Sequence, residues 1–502
     1  MNACRALKQT VFFSCFVLLA GSAGAQLSWP IKPVELPIGH FWTNLIWTNF
    51  NWGAKPGELL WSLATSNKIY SSPAVDSEGT IYFGSGYELL ALNGKTGAVK
   101  WGFEVGAPVY SSPTIGLDGL VYVSSGIFVE EPVLNGYLCA IDSATGAELW
   151  NVLLGAGGST LSSASLDAFG RLYVAKLQSV HAFDTKTGRE LWSAPIQWSM
   201  HQPVVGSQGL VYMSGIDGPL TTNAIFHLFA LDPATGSIRW KSPLGTSVYA
   251  LSSPCLGPDG QVYLTTTGSE VEFGRVYAFN GITGDKLWEF RAGRYLMSSP
   301  VLGTNGWLYI GSQTKTVYAL DGLNGAKKWE HDTQSAITSS AAVGVDGTVY
   351  VGDSHALYAL NGTTGNPIWS YTNNGVSTAI TLTTNGTLLF GDGKNLYAVK
   401  ANSSLGAAPS AWPMFGQNCF HTGRGWSAPS SLRLNRTSAP PGVNGVALQG
   451  AAGLKYRIDT TPTLTEPSIW STLVLTNRFG SAVLPSPPIG QQRFYRLQVL
   501  GY

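Results

Sequence analysis

Short runs of β-branched, aromatic and other apolar residues recur along this chain, each bounded by Gly, Asp, Asn, Ser or Pro. Helical periodicity is absent throughout, and runs of this length between turn residues predict β-strands. The stretch from Tyr70 to Trp101 shows the unit. Ser71-Ser72-Pro73-Ala74-Val75 predicts a strand A, and Asp76 to Gly79 a turn whose glycine supplies positive φ. Thr80-Ile81-Tyr82-Phe83-Gly84 predicts strand B and Glu88-Leu89-Leu90-Ala91-Leu92 strand C. A second turn, Asn93 to Gly97, leads into strand D, Ala98-Val99-Lys100-Trp101.

The unit repeats. Trp61, Trp101, Trp150, Trp192, Trp240, Trp288, Trp329 and Trp369 are spaced by 40, 49, 42, 48, 48, 41 and 40 residues. From Trp101 onward each lies four residues after the glycine of a turn opened by Asp or Asn. Eight A–B turns end in Gly79, Gly119, Gly170, Gly209, Gly260, Gly306, Gly347 and Gly386. Four antiparallel strands at this period predict an all-β, eight-bladed β-propeller. The eighth unit has strands A to C, ending at Leu396-Tyr397-Ala398-Val399, but no tryptophan turn after it, whereas Leu59-Leu60-Trp61 is a strand D with no A to C before it. The N-terminal strand is therefore expected to complete the eighth blade and remove the open edges. Seven blades with a degenerate eighth unit is the alternative. The eight tryptophans are expected to dock neighbouring blades, each burying on the order of 200 Å². The Asp or Asn opening each turn is expected to accept a backbone N–H bond.

The ends of the chain read differently. Arg5 and Lys8, the apolar stretch Val11 to Gly21 and the small residues Ala23-Gly24-Ala25 predict a signal peptide over 1–25, cleaved near Ala25, with an uncleaved anchor as the alternative. The mature protein is then expected to be soluble and exported, in the periplasm or secreted, without a transmembrane segment. Residues 26–55 form an aromatic arm with Trp29, Phe41, Trp42, Trp47, Phe50 and Trp52, expected to pack on the propeller (56–425). The segment from Trp412 to Arg424, with His421-Thr422-Gly423-Arg424, is expected to clasp the propeller. A Ser/Pro/Ala-rich linker (426–444) precedes renewed strand alternation over 445–502, a small β-sandwich module ending in Arg493-Phe494-Tyr495-Arg496-Leu497.

Charged residues are only 12% of the chain and the net charge is +1, which argues against nucleic acid or an anionic membrane as the main partner. Beyond the signal, Cys139, Cys255 and Cys419 remain, with no C-x-x-C metal or haem pattern. Cys139 and Cys255 fall in different repeats and are expected to be small buried hydrophobes.

Antiparallel strands place the short A–B and C–D turns on one face and the B–C and D–A loops on the other. The length variation lies in the B–C loops, which carry Glu130 and Glu131 in repeat 2, Asp217 in repeat 4, and Glu270 and Glu272 in repeat 5. Variable loops on a rigid scaffold are where binding usually resides. Strand A should line the central channel. One column reads Ser71, Ser111, Ser162, His201, Ser252, Ser298, Ser339, Thr378, and the next Ser72, Ser112, Ser163, Gln202, Ser253, Ser299, Ser340, Ala379. Small hydroxyls would fit a crowded axis and bind water. His201-Gln202 breaks the pattern, so these two residues with the loop carboxylates are the candidate ligand site. His181, His227 and His355 are expected to pack without partners. No catalytic residue and no metal site is assigned.

The pattern Ala-Leu-Asn-x-x-Thr-Gly-x-x-x-Trp (Ala91 to Trp101), with Ser-Ser-Pro and Asp-Gly-x-Val-Tyr-Val-Gly (Asp346 to Gly352), resembles the pyrroloquinoline-quinone-like β-propeller repeat over roughly residues 55 to 425. The C-terminal segment resembles a small β-sandwich module of secreted bacterial proteins. The repeat family includes quinone-carrying alcohol and glucose dehydrogenases as well as non-catalytic scaffolds of outer-membrane protein assembly. The dehydrogenases imply an adjacent cysteine pair, a calcium site and an aspartate base. This chain has no adjacent cysteine pair, and neither a calcium set nor the base aligns to any position. The expectation is an exported binding or assembly scaffold without cofactor, for a protein, glycan or small-molecule partner. The alternative is a dehydrogenase using pyrroloquinoline quinone (PQQ) with calcium. A hydrolase or lyase using the loop carboxylates is a third possibility.

Overall fold

The computed structural model describes residues 54–126, 135–156, 162–198, 201–218, 224–246, 252–268, 273–403, 406–408, 410–418 and 421–423, together with the backbone of strands at Trp47–Thr48 and between 433 and 501. Glu130, Glu131, Glu270, Glu272, Cys419 and the signal region lie outside the described residues.

Eight antiparallel blades form the ring. In blade 1, strand A (Ala74–Val75) pairs with B (Thr80–Ser85), B with C (Glu88–Asn93) and C with D (Val99–Glu104). The same order runs through blade 2 (Thr114–Ala156), blade 3 (Ser165–Ala194), blade 4 (Val204–Thr246), blade 5 (Cys255–Arg291), blade 6 (Val301–Asp332) and blade 7 (Ala342–Thr372). In blade 8, A to C (Thr381–Leu382, Thr387–Gly391, Asn395–Lys400) are completed by Leu59–Ala64, with Leu59 opposite Val399 and Trp61 opposite Ala398. The ring therefore closes through the N-terminal strand, and there are eight blades rather than seven. Trp47–Thr48 adds a fifth strand outside, opposite Leu63 and Ser62.

A β-bulge precedes each tryptophan. In blade 1, Trp101 pairs with Ala91 and Val99 with Leu92, so Lys100 is the extra residue. Corresponding shifts precede Trp61, Trp150, Trp192, Trp240, Trp288, Trp329 and Trp369. A bulge re-aims the following side chain. It turns the extra residue outward, which explains why Leu149, Leu191, Leu287 and Ile368 are exposed.

The indole thus aimed meets the C–D turn of the next blade. Nε1 of Trp61 donates to Gly94 O (3.1 Å), Trp101 to Ser143 O (3.1 Å), Trp150 to Thr185 O (2.9 Å) and Trp192 to Pro233 O (3.0 Å). Trp240 donates to Gly281 O (3.1 Å), Trp288 to Gly322 O (2.9 Å) and Trp329 to Gly362 O (2.9 Å). Each ring lies flat on the turn glycine; a Cβ on Gly236 would sit 2.4 Å from the Trp192 ring, and that glycine also has φ of +72°. Trp369 faces blade 8, which has no C–D turn of its own. It packs instead on Gly57, ahead of the closing strand, and its Nε1 has no partner among the described residues.

In blades 1 to 7 strand B contributes a buried tyrosine beside the indole, from Tyr82 beside Trp101 to Tyr350 beside Trp369, whereas blade 8 has Leu389 at that position. Tyr212, Tyr263 and Tyr309 donate to the same carbonyls as the tryptophans beside them, those of Gly281, Gly322 and Gly362, each at 3.0 Å. Burial pushes the phenols of Tyr212 and Tyr309 up to about 12. The Asx turns are held as the sequence suggests. Asn93 Oδ1, for example, accepts from the backbone N–H groups of Lys95 (3.0 Å) and Thr96 (3.2 Å).

Cys139 and Cys255 are free and buried. C-terminal to the propeller, strands form two three-stranded antiparallel sheets. One is Arg433–Ser438, Asn444–Gln449 and Ser481–Leu484; the other is Ser471–Thr476, Lys455–Thr461 and Phe494–Gly501.

Candidate functional site

Strand A of every blade faces the axis, and its two polar columns do different work. In the outer-mouth column, a hydroxyl caps strand B of its own blade. Ser71 Oγ accepts from Gly84 N (3.0 Å), Ser252 Oγ from Thr265 N (3.0 Å), Ser298 Oγ from Gly311 N (2.8 Å) and Thr378 Oγ1 from Gly391 N (2.9 Å). In the next column, the hydroxyl accepts from the backbone of the preceding blade. Ser72 N donates to Ser112 Oγ (3.0 Å), Ser112 N to Ser163 Oγ (2.9 Å), Ser253 N to Ser299 Oγ (3.0 Å) and Ser299 N to Ser340 Oγ (2.9 Å). Ala379 N to Ser72 Oγ (3.0 Å) carries the chain of bonds across the ring closure. These hydroxyls thus tie backbone to backbone, because a buried N–H must find an acceptor.

Blade 4 departs from both columns. Gln202 is buried, and its Nε2 donates to Ala164 O (2.8 Å) and His421 O (3.1 Å). Its Oε1 has no partner. His201 is half-buried, with Nε2 unpartnered among the described residues, and burial lowers its imidazole to about 4. Among the described residues no carboxylate contributes to that shift. Asp217 instead pairs with Lys241, which holds its carboxyl below the usual range. The structure therefore brings His201 and Gln202 to the axis and leaves Asp217 on an ion pair of its own.

The bond from Gln202 to His421 reveals what fills one end of the channel. After blade 8 the chain crosses the axis on the A–B side. Val343 N donates to Pro413 O (2.8 Å) and Leu302 N to Trp412 O (2.7 Å). On the opposite side Leu166 N donates to Thr422 O (3.0 Å) and Val205 N to Gly423 O (2.8 Å). His421 is buried between them, its carbonyl also accepting from Thr114 Oγ1 (3.3 Å) and its Nε2 lying 3.3 Å from Thr381 Oγ1. The clasp thus touches blades 2, 3, 4, 6, 7 and 8. Gly423 fits because it has no side chain: a Cβ there would lie 2.0 Å from Ser165 Oγ, at a φ of +58°. Gly423→Val is expected to unseat the clasp, read as faster proteolytic cleavage between residues 401 and 423 with the propeller core still resistant.

One histidine differs from its expectation. His181 has partners: Nε2 is 2.7 Å from Ser179 Oγ and Nδ1 is 3.3 Å from Glu190 Oε1. Glu190 reaches it from strand D across the C–D hairpin, a proximity that spacing alone does not disclose. The His227 and Phe229 rings lie tilted against each other, with centroids 5.7 Å apart and planes at 52°. Among the described residues, no three His, Cys, Asp or Glu side chains converge on a point where a metal ion could sit. Cys139 and Cys255 lie in separate blades and form no adjacent pair.

The fold and its axial columns define an eight-bladed propeller of pyrroloquinoline-quinone-like repeats. The family model described as outer membrane protein assembly factor BamB matches residues 52–218 and 226–417, and the chain belongs to this family. Quinoprotein alcohol dehydrogenase PedH of Pseudomonas putida is 30% identical over 160 residues, which are 29% of this chain and 24% of that protein. The chain thus spans about a quarter of the length of this curated relative. The crystal structure of BamB from Moraxella catarrhalis superposes with a TM-score of 0.54 at 18% identity, over 68% of this chain and 99% of that one. Quinohemoprotein alcohol dehydrogenase from Comamonas testosteroni gives a TM-score of 0.46 at 14% identity, over 64% of this chain and 65% of that one.

Proposed function

We propose that the protein is an exported, non-catalytic binding or assembly scaffold whose partner docks on the face carrying the B–C loops. The observation that carries this reading is the state of the axis. In the quinone-dependent alternative the axis would have to offer donors to a cofactor. Here the axial hydroxyls are spent on backbone, and the clasp fills the A–B end. The loop face keeps the variable segments, and a rigid ring presents them in fixed relation. Membership of the BamB family favours a protein partner. The signal-like N-terminus favours export, and no helix among the described residues is long and apolar enough to cross a membrane.

The test is reconstitution of the purified protein with pyrroloquinoline quinone and calcium, following cofactor absorbance and dye-linked alcohol or sugar oxidation. The expected result is neither stoichiometric uptake nor turnover. Uptake with turnover would establish the dehydrogenase instead.

A further inference from the structure

Three tyrosines of blades 1 and 2 stand apart from the buried ones of the B strands. Tyr70 and Tyr110 directly precede the axial serines Ser71 and Ser111, and Tyr87 ends the B–C turn of blade 1. All three lie on the loop face at the channel mouth. Tyr70 and Tyr87 are each 46% exposed, whereas Tyr82 and Tyr122 are fully buried. The buried pair donate their hydroxyls to Asp76 (2.8 Å) and Asp118 (2.6 Å). Among the described residues, the hydroxyls of Tyr70, Tyr87 and Tyr110 have no hydrogen-bond partner.

The three rings form one patch. Tyr70 stacks on Tyr110 with centroids 4.8 Å apart and planes at 26°. Burial raises the Tyr110 phenol, Tyr70 raises it further, and Tyr87 and Lys68 also act on it. The patch is pre-organised from both sides of the B–C turn. Ser85 Oγ donates to Asn67 O (3.2 Å), Gly86 N to Lys68 O (3.0 Å) and Val109 N to Gly86 O (2.7 Å). Lys68 Nζ lies 6.0 Å from the Tyr70 ring centroid and makes no ion pair among the described residues.

We propose that this patch is a saccharide-binding platform. It deepens the scaffold reading, resting on the loop face as the binding face, and names a ligand class for it. A sugar ring has an apolar C–H face that packs on an exposed aromatic plane, and hydroxyls around its edge that need donors and acceptors. Here half-exposed aromatic rings, phenols without hydrogen-bond partners and an ammonium over one ring without an ion pair among the described residues occur together on a rigid base. An apolar peptide segment would be served by aliphatic side chains and would leave the phenols and the ammonium unmatched when it covered them. Fixed loops keep the ordering cost of binding low.

Isothermal titration of the full chain with chitohexaose, cellohexaose and an oligogalacturonate tests this. At least one should bind saturably. Tyr70→Ala/Tyr87→Ala should weaken it by about tenfold or more, and Tyr70→Phe/Tyr87→Phe, which keeps the rings, by clearly less. Leu323→Ala on the opposite face should change nothing. Because the altered rings are half-exposed, thermal midpoints should stay near that of the unaltered protein. Failure of all three saccharides to saturate, or equal affinity in the double alanine variant, would overturn the platform. Neither result would touch the scaffold reading, which the quinone reconstitution decides independently.

Discussion

Trp61→Ala should destabilise the protein by about 3–5 kcal/mol, one of the largest costs of any single substitution in the ring. The indole is 3% exposed, its Nε1 bonds Gly94 O at 3.1 Å, and it covers Gly97 of blade 1. It also sits on the strand that closes blade 8, so its removal leaves a cavity and an unpaired turn carbonyl at the seam between the first and last blades. Trp369→Ala makes the contrast. That indole is only half-buried and its Nε1 already lacks a partner among the described residues, so the expected cost is about 1–2 kcal/mol. Urea midpoints of the two variants measure the difference. Equal midpoints would mean that the indole contacts do not set the strength of closure.

Acid should weaken the native state through the clasp. Burial holds the His421 imidazole at about 4 in the folded protein, against about 6.5 for an unperturbed histidine. Between these values the unfolded chain takes up a proton that the folded one refuses. Stability is therefore intact above about pH 6.5, falls as pH drops toward 4, and loses nothing further from this group below that. A shift of this size corresponds to about 3 kcal/mol. His201, also lowered to about 4 by burial, acts in the same window and the same direction. His421→Gln keeps the backbone carbonyl that Gln202 and Thr114 use, and should flatten the dependence of the urea midpoint on pH in part. An unchanged slope in that variant would show that the side chain is hydrated in the native protein.

The propeller was legible because every blade spends the same residues on the same contacts. A tryptophan, a turn glycine and an Asp or Asn mark each unit, and the orphan strand at Leu59–Trp61 marks the closure. The axial hydroxyl columns were legible as columns but not as bonds, since the N–H that Ser112 accepts belongs to a different blade. The histidines show the same limit. Glu190 meets His181 only after a bulged hairpin folds it back, and His421 reaches Gln202 only after the chain has gone round the whole ring. Tyr70, Tyr87 and Tyr110 come from three separate loops; their positions, two of them directly before Ser-Ser-Pro, set them apart from the core tyrosines three residues after a turn glycine, but do not show that they meet. Their stacking and their lack of hydrogen-bond partners among the described residues are properties of the folded chain.

The route of the clasp also governs how force enters the molecule. Gly423, the last described residue of the clasp, is bonded to Val205 at the hub rather than to the rim of the last blade. A pull on the tail is therefore distributed over six blades instead of unzipping one edge.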